Sequence, residues 1–257
     1  MAVSFYQSTQ SDAKTLVLSS GLGGHAQYWQ PQIAALQQHF HVLTYDQLGV
    51  FPESDALPEH YSLAMMAAEL EQILQEKKIE QCHFMGHALG GFIGLELARL
   101  APQRVEKLVV VNAWDQLDAH TNRCFATRLN LLRHAGIAAY VQAQALFLYP
   151  PAWISTHDQQ LAQQEQHAIG HFAPIDNVEK RLAALRQYQP KHTAQAVSHQ
   201  VLVIANQDDF LVPWQRGLAL SRLMSNADFE LYPTGGHASS VTQPEWFNRC
   251  VLQYLCS

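Results

Sequence analysis

The sequence is poor in the features that several common functions depend on. Its cysteines are four, Cys82, Cys124, Cys250 and Cys256, with no CxxC pair among them. A chain of 257 residues buries enough core to need no disulfide staples, so reduced thiols and a cytoplasmic protein are expected. No apolar stretch is long enough to cross a bilayer. The opening MAVSFYQSTQ has neither a basic leader nor an apolar run, so no signal peptide is expected. Positive charge is scarce: Lys and Arg number 16 against 22 Asp and Glu, a net charge of −6, with no long basic run. That argues against nucleic acid or an anionic membrane as partner. A small molecule is the expected partner, and a homodimer stays open.

Cofactor and metal signatures are missing too. GLGG (Gly21 to Gly24) is not followed by the spacing of a dinucleotide site, so no cofactor is expected. Histidine is abundant, at 14 residues, and His167 and His171 stand four apart. Yet there is no HExxH and no carboxylate at an obvious ligand spacing, so no metal is expected.

What is present is an alternation of short apolar runs and helical patterns. TLVLSSG (Thr15 to Gly21), HVLTYDQ (His41 to Gln47), QCHFMGH, VEKLVVVNA (Val105 to Ala113), QVLVIAN (Gln200 to Asn206) and DFELYP read as strands. SLAMMAAELEQILQEKK (Ser62 to Lys78) repeats apolar residues at three and four, a helix with one packed face and Ser62 as N-cap. GGFIGLELARLAP is a second helix, stopped by Pro102. WQRGLALSRLM and the segment from about Pro244 to Cys256 are two more. Near-continuous apolar strands between helices predict a mostly parallel sheet covered on both faces, an α/β fold. The rhythm breaks from about Trp114 to His192, where the chain is helix-rich without a convincing strand. The expected organisation is therefore a core of 1–113 and 196–257, with a helical lid inserted at 114–195.

FMGHALGGF (Phe84 to Phe92) has the form of a nucleophile elbow: strand, glycine-flanked turn, helix. Gly86-His87-Ala88-Leu89-Gly90 fits G-x-S-x-G except at its centre, where Ala88 replaces the nucleophile. The match is short, but its setting is specific, and over nearly the whole chain outside the insertion the order of motifs resembles the α/β-hydrolase family. SSGLGG stands where the family has its oxyanion loop. The resemblance implies that the backbone of Leu22 and Leu89 forms an oxyanion hole. YDQLGVFPES resembles the D-x-R-G-x-G-x-S loop, with Leu48 in place of the usual arginine. The resemblance implies an acid at Asp209, four residues before the proline of NQDDFLVP, with Asp208 as fallback and Asp115 a less favoured alternative. It likewise implies a catalytic histidine at His237 in PTGGHASS.

Three readings of Ala88 stay open. The protein is a silent ligand-binding member of the fold, or a serine was replaced to trap a complex, or alanine is native and water attacks. GLGGHAQYWQPQ, GHALG with its alanine, AHTNRCF, LFLYP, LVPW and GGHA together resemble the branch serving pyrimidine utilisation in the Rut pathway. That resemblance implies ammonia release from 3-aminoacrylate or from carbamate, and it favours the third reading. A lyase or a cofactor-free oxygenase of the same fold is a further alternative. A binding protein would not need His237, and an oxygenase would consume oxygen. Among the insertion's arginines, Arg123, Arg128, Arg133, Arg181 and Arg186, one is a candidate for pairing the substrate carboxylate, although exposed arginine is the common case. Trp114, Phe147, Tyr149 and Trp153 are candidate pocket walls, with packing the commoner role. His25 and His87 lie near the chemistry in sequence and are read as structural.

Overall fold

The computed structural model describes residues 2–257. The chain runs β1 (Val3–Tyr6), β2 (Thr15–Ser19), α1 (Gln30–Leu36), β3 (His41–Tyr45), α2 (Leu63–Glu76), β4 (Cys82–His87), α3 (Leu89–Leu100) and β5 (Val105–Val111). Six helices follow without a strand: α4 (Ala119–Ala135), α5 (Ile137–Leu148), α6 (Pro151–Thr156), α7 (Asp158–Gly170), α8 (Ile175–Gln187) and α9 (Pro190–Ala196). The alternation resumes with β6 (Gln200–Asn206), α10 (Trp214–Ser221), β7 (Ala227–Tyr232), α11 (Ser239–Thr242) and α12 (Pro244–Leu255).

The seven strands form one sheet in the order β1-β3-β2-β4-β5-β6-β7. All neighbours are parallel except β1, which runs antiparallel to β3 at the edge. The alternation of side chains divides the strands between two cores. Leu16, Leu18, Val42, Met85, Val109, Val111, Leu202 and Ile204 point to one face, against Trp29, Ile33 and Leu36 of the α1 region and Phe247, Val251 and Leu255 of α12. Val17, Leu43, Phe84, Leu108, Val110, Val201 and Val203 point to the other, against α2 and α3. Burial on both faces is why these strands read as continuous apolar runs. Each buried aliphatic side chain contributes about 1.5–3 kcal/mol.

Local signals explain the helix starts. The Ser62 hydroxyl accepts from the Met65 amide at 3.3 Å and begins α2. Asp118 does the same for Thr121 at 2.9 Å, beginning α4. The short strand β1 carries no comparable signal. VSFY is partly exposed, with Phe5 42% accessible, and it forms by pairing with β3. No helix of the described residues is long and apolar enough to cross a membrane.

Candidate active site

The site gathers at the carboxyl ends of the central strands, where a parallel sheet opens its crevice. β4 ends at His87 and α3 begins at Leu89, so Ala88 alone makes the turn. Its backbone sits at φ +48°, ψ −111°. That conformation costs a non-glycine residue about 1–3 kcal/mol and must be held by its surroundings. The Ala88 amide is tied to the Val111 carbonyl at 2.7 Å, which continues the ladder to β5. The flanking glycines are steric requirements. A Cβ on Gly86 would collide with the Gly90 carbonyl, and one on Gly90 with the Ser19 carbonyl.

The amides of Leu22 and Leu89 find no acceptor among the described residues. Leu89 is the first residue of α3, where unpaired N–H groups and the helix dipole favour negative charge. Leu22 lies in the turn after β2 that Gly24 closes by donating to the Gly21 carbonyl at 3.0 Å.

His237 lies on the loop between β7 and α11 and is 3% exposed. Its Nδ1 meets Asp209 Oδ2 at 2.8 Å. The other oxygen of Asp209 accepts from the amides of Leu211 and Val212 at 2.8 and 2.9 Å. The carboxylate is therefore fixed by its own loop before it meets the ring. Nε2 of His237 has no hydrogen-bond partner among the described residues, which leaves one ring nitrogen available for proton transfer. Asp208 turns elsewhere and accepts from the amides of Gly235 and Gly236 at 3.1 and 2.8 Å. It shapes the histidine loop. Asp115 pairs with Arg216 at 3.4 Å.

His87 is buried between Tyr28, stacked at 4.8 Å, and His237, edge-on at 4.7 Å. Its Nε2 meets the His237 carbonyl at 2.8 Å, so it donates there and braces the loop. Burial, reinforced by the neighbouring His237, depresses its pKa to about 3. It is neutral at ordinary pH. His25 stays half-exposed, 3.9 Å from Asp46, and burial lowers its pKa.

Three supports were invisible as motifs. Asn112, the residue after β5, has φ +51° and donates to the His237 carbonyl at 2.6 Å. Asn206, the last residue of β6, donates to the Thr234 carbonyl at 2.9 Å. Both follow apolar runs, VVVN and VIAN, and a polar residue closing a buried strand was the signal that could have found them. The third is Arg181 of α8, only 2% exposed. It donates to the carbonyls of Leu22, at 3.1 Å, and Leu48, at 3.2 Å, and to the Gln47 side chain. Leu48 stands where an arginine was expected, and a guanidinium from the insertion reaches that loop instead.

Most insertion aromatics pack. Trp114 meets Phe92 at 4.9 Å, and Tyr149, Trp153 and His157 form a consecutive stack. Phe147 lies 6.0 Å from Phe210, beside Asp209. His167 and His171 stack on each other at 4.1 Å, exposed. A surface cleft of about 480 Å³ opens between α4 and α8, lined by Asp118, Asn122 and Arg186 among others. It does not include His237 or Asp209.

Comparison with known proteins identifies the family. Residues 14–244 match the family described as alpha/beta hydrolase fold. A protein of Stutzerimonas stutzeri named "Putative carbamate hydrolase RutD" is 49% identical over 246 residues, 96% of this chain and 93% of that one. One of the same name from Acinetobacter baylyi is 48% identical, covering 99% of this chain and 98% of that one. Among solved structures, the enol-lactonase of Burkholderia xenovorans superposes with a TM-score of 0.89 at 21% identity, covering 100% of this chain and 96% of that one, a likeness of fold. The chain belongs to the α/β-hydrolase family, in the branch whose members carry the RutD name.

Proposed function

We propose that this hydrolase releases ammonia from a small, labile, anionic nitrogen compound, without a covalent enzyme intermediate. The observation that carries the reading is the pair His237 and Asp209, held at 2.8 Å and buried beside an elbow that keeps its strained backbone but carries only a methyl group. A buried carboxylate–imidazole pair with one ring nitrogen unpaired is the arrangement that general acid–base transfer needs. The missing serine oxygen leaves room for water next to the imidazole.

The substrate favoured is 3-aminoacrylate, a product of opened pyrimidine rings. His237, as imidazolium, gives a proton to C2 of the enamine, making an iminium at C3. The neutral imidazole then takes a proton from water as its oxygen adds to C3. Loss of ammonia leaves malonic semialdehyde. The net reaction consumes one water and releases one ammonia. Asp209 orients the ring and stabilises its charged form. The amides of Leu22 and Leu89 receive one oxygen of the substrate carboxylate. The helices at 114–195 act as the lid over this small site.

Carbamate is the second reading, favoured by the names that the relatives carry. There the proton goes to nitrogen, the C–N bond breaks, and carbon dioxide and ammonia leave. The demand on the protein is lower than for an amide, because both compounds decay unaided. Losing a triad serine leaves roughly 10³–10⁴ of acceleration, which suffices for such a substrate.

The test is ammonia release from freshly generated 3-aminoacrylate and from carbamate, each with no protein, with the protein and with His237→Ala. Acceleration lost in the variant supports the reading and selects the substrate. Release at the unaided rate from both would overturn it and leave a ligand-binding protein.

A further inference from the structure

The insertion's five arginines do not share one environment. Arg123 is exposed. Arg133 is paired with Glu179 at 2.7 Å. Arg186 is held by Asn122 at 2.8 Å. Arg181 is occupied by the Leu22, Leu48 and Gln47 oxygens. Arg128, on α4, is different. It is 6% exposed, and no carboxylate pairs with it among the described residues. Its one hydrogen bond goes from Nη2 to the Tyr140 hydroxyl at 3.2 Å. Its Nε is buried with no partner among the described residues. A guanidinium has five donors in a planar fork, so most of this one is unused.

Burying a cation without a counter-charge is costly. Two aromatic faces, Tyr140 at 5.2 Å and Phe147 at 5.8 Å, offset part of that cost. Neither accounts for the idle donors. The position of Arg128 supplies the missing term. Phe147 contacts Phe210, next to Asp209, and the following residue, Leu148, accepts from the amide of Ala238, next to His237. Thr121, two turns earlier on the same buried stripe of α4, donates to the Leu211 carbonyl of the Asp209 loop. Arg128 thus stands behind the loops that carry the acid–histidine pair, one aromatic layer from Phe210 and Leu148.

We propose that Arg128 is the substrate-binding residue that selects a small carboxylate, closing on its free oxygen edge from the insertion side. The planar fork matches a carboxylate or a carbamate anion, whereas a lysine there would offer only a point charge. This rests on the functional reading above for the chemistry that follows binding, and not for binding itself.

The probe is malonate, a stable anion close to the expected product, with neutral malonamide as its control. Calorimetric titration uses the full chain, Arg128→Gln, Arg128→Lys, and Arg123→Gln as an exposed control. Arg128→Gln weakens malonate about tenfold to a hundredfold. Arg128→Lys falls between, while Arg123→Gln keeps binding, and malonamide binds weakly to all. Thermal melting of each variant checks the fold, and Arg128→Lys decides if the glutamine variant does not fold. In the ammonia assay, Arg128→Gln raises KM more than it lowers kcat. Malonate binding equal in the wild type and either Arg128 variant overturns the proposal, as does equal binding of malonate and malonamide to the wild type. Arg128-dependent malonate binding without ammonia release would leave this inference standing and remove the functional one. Ammonia release indifferent to Arg128 would do the reverse.

Discussion

Acidification from neutral pH to about pH 5 should weaken this fold through two buried histidines. His87 is 4% exposed, with its pKa pushed down to about 3 from an ordinary 6.5 by burial and then by His237. His83, on β4, is 2% exposed and depressed to about 4, chiefly by burial. A histidine whose folded pKa is depressed binds its proton more readily in the unfolded chain. Its contribution is intact above pH 6.5 and is lost as pH falls toward the folded value. The slope is about 1.4 kcal/mol per pH unit per histidine, so each loses about 2 kcal/mol by pH 5. Together they remove about 4 kcal/mol, a large share of a typical stability of 5–15 kcal/mol. The depressed carboxylates Glu96, Glu106 and Glu179 start from 4.5 and add their losses only below that. Between pH 6.5 and 5 His25, whose pKa burial also lowers, adds loss in the same direction, while Glu69 and Glu165, raised above 4.5 by burial, act in the opposite one. Urea unfolding at half-unit steps measures the net slope. His87→Gln keeps a donor for the His237 carbonyl but cannot titrate, and should remove about half the slope. An unchanged slope in that variant would refute the assignment of a depressed, neutral His87.

Other expectations concern the site. Asp209→Asn preserves shape but loses the charge that stabilises the imidazolium, and should lower kcat by roughly 10²–10⁴ with KM changed less, read in the ammonia assay. Ala88→Ser adds the absent oxygen beside His237. It should produce a burst of nitrophenol from p-nitrophenyl acetate, trap an acyl-enzyme visible by mass spectrometry, and slow ammonia release by displacing water. Absence of both effects would mean the elbow does not face His237. Arg181→Met leaves the Leu22 and Leu48 carbonyls and the Gln47 side-chain oxygen unpaired, which should cost about 3 kcal/mol by urea unfolding, partly offset by removing a buried charge.

Much of this architecture was legible because local and global signals agree. Val105–Val111 and Gln200–Asn206 read as buried strands since both faces of a parallel sheet are covered. Asp209 and His237 were implied by the resemblance to the α/β-hydrolase order of motifs, and the structure brings them together. β1 was not anticipated, because an edge strand with VSFY has no apolar run and is defined by its partner. Arg181 was one of five equivalent arginines in sequence. Its meaning depends on Leu22 and Leu48, more than a hundred residues away. Likewise, Arg128 differs from Arg123 only once burial is known.

The central claim is that His237 moves the protons while no serine takes part. The most direct test converts 3-aminoacrylate in deuterated water and traps the malonic semialdehyde at once by reduction to 3-hydroxypropionate. Delivery from one imidazole to one face of the enamine predicts a single enantiomer of the C2-deuterated product with the wild type, and a racemate with His237→Ala. A racemate from the wild type would contradict the account, because the proton would then come from solvent without direction.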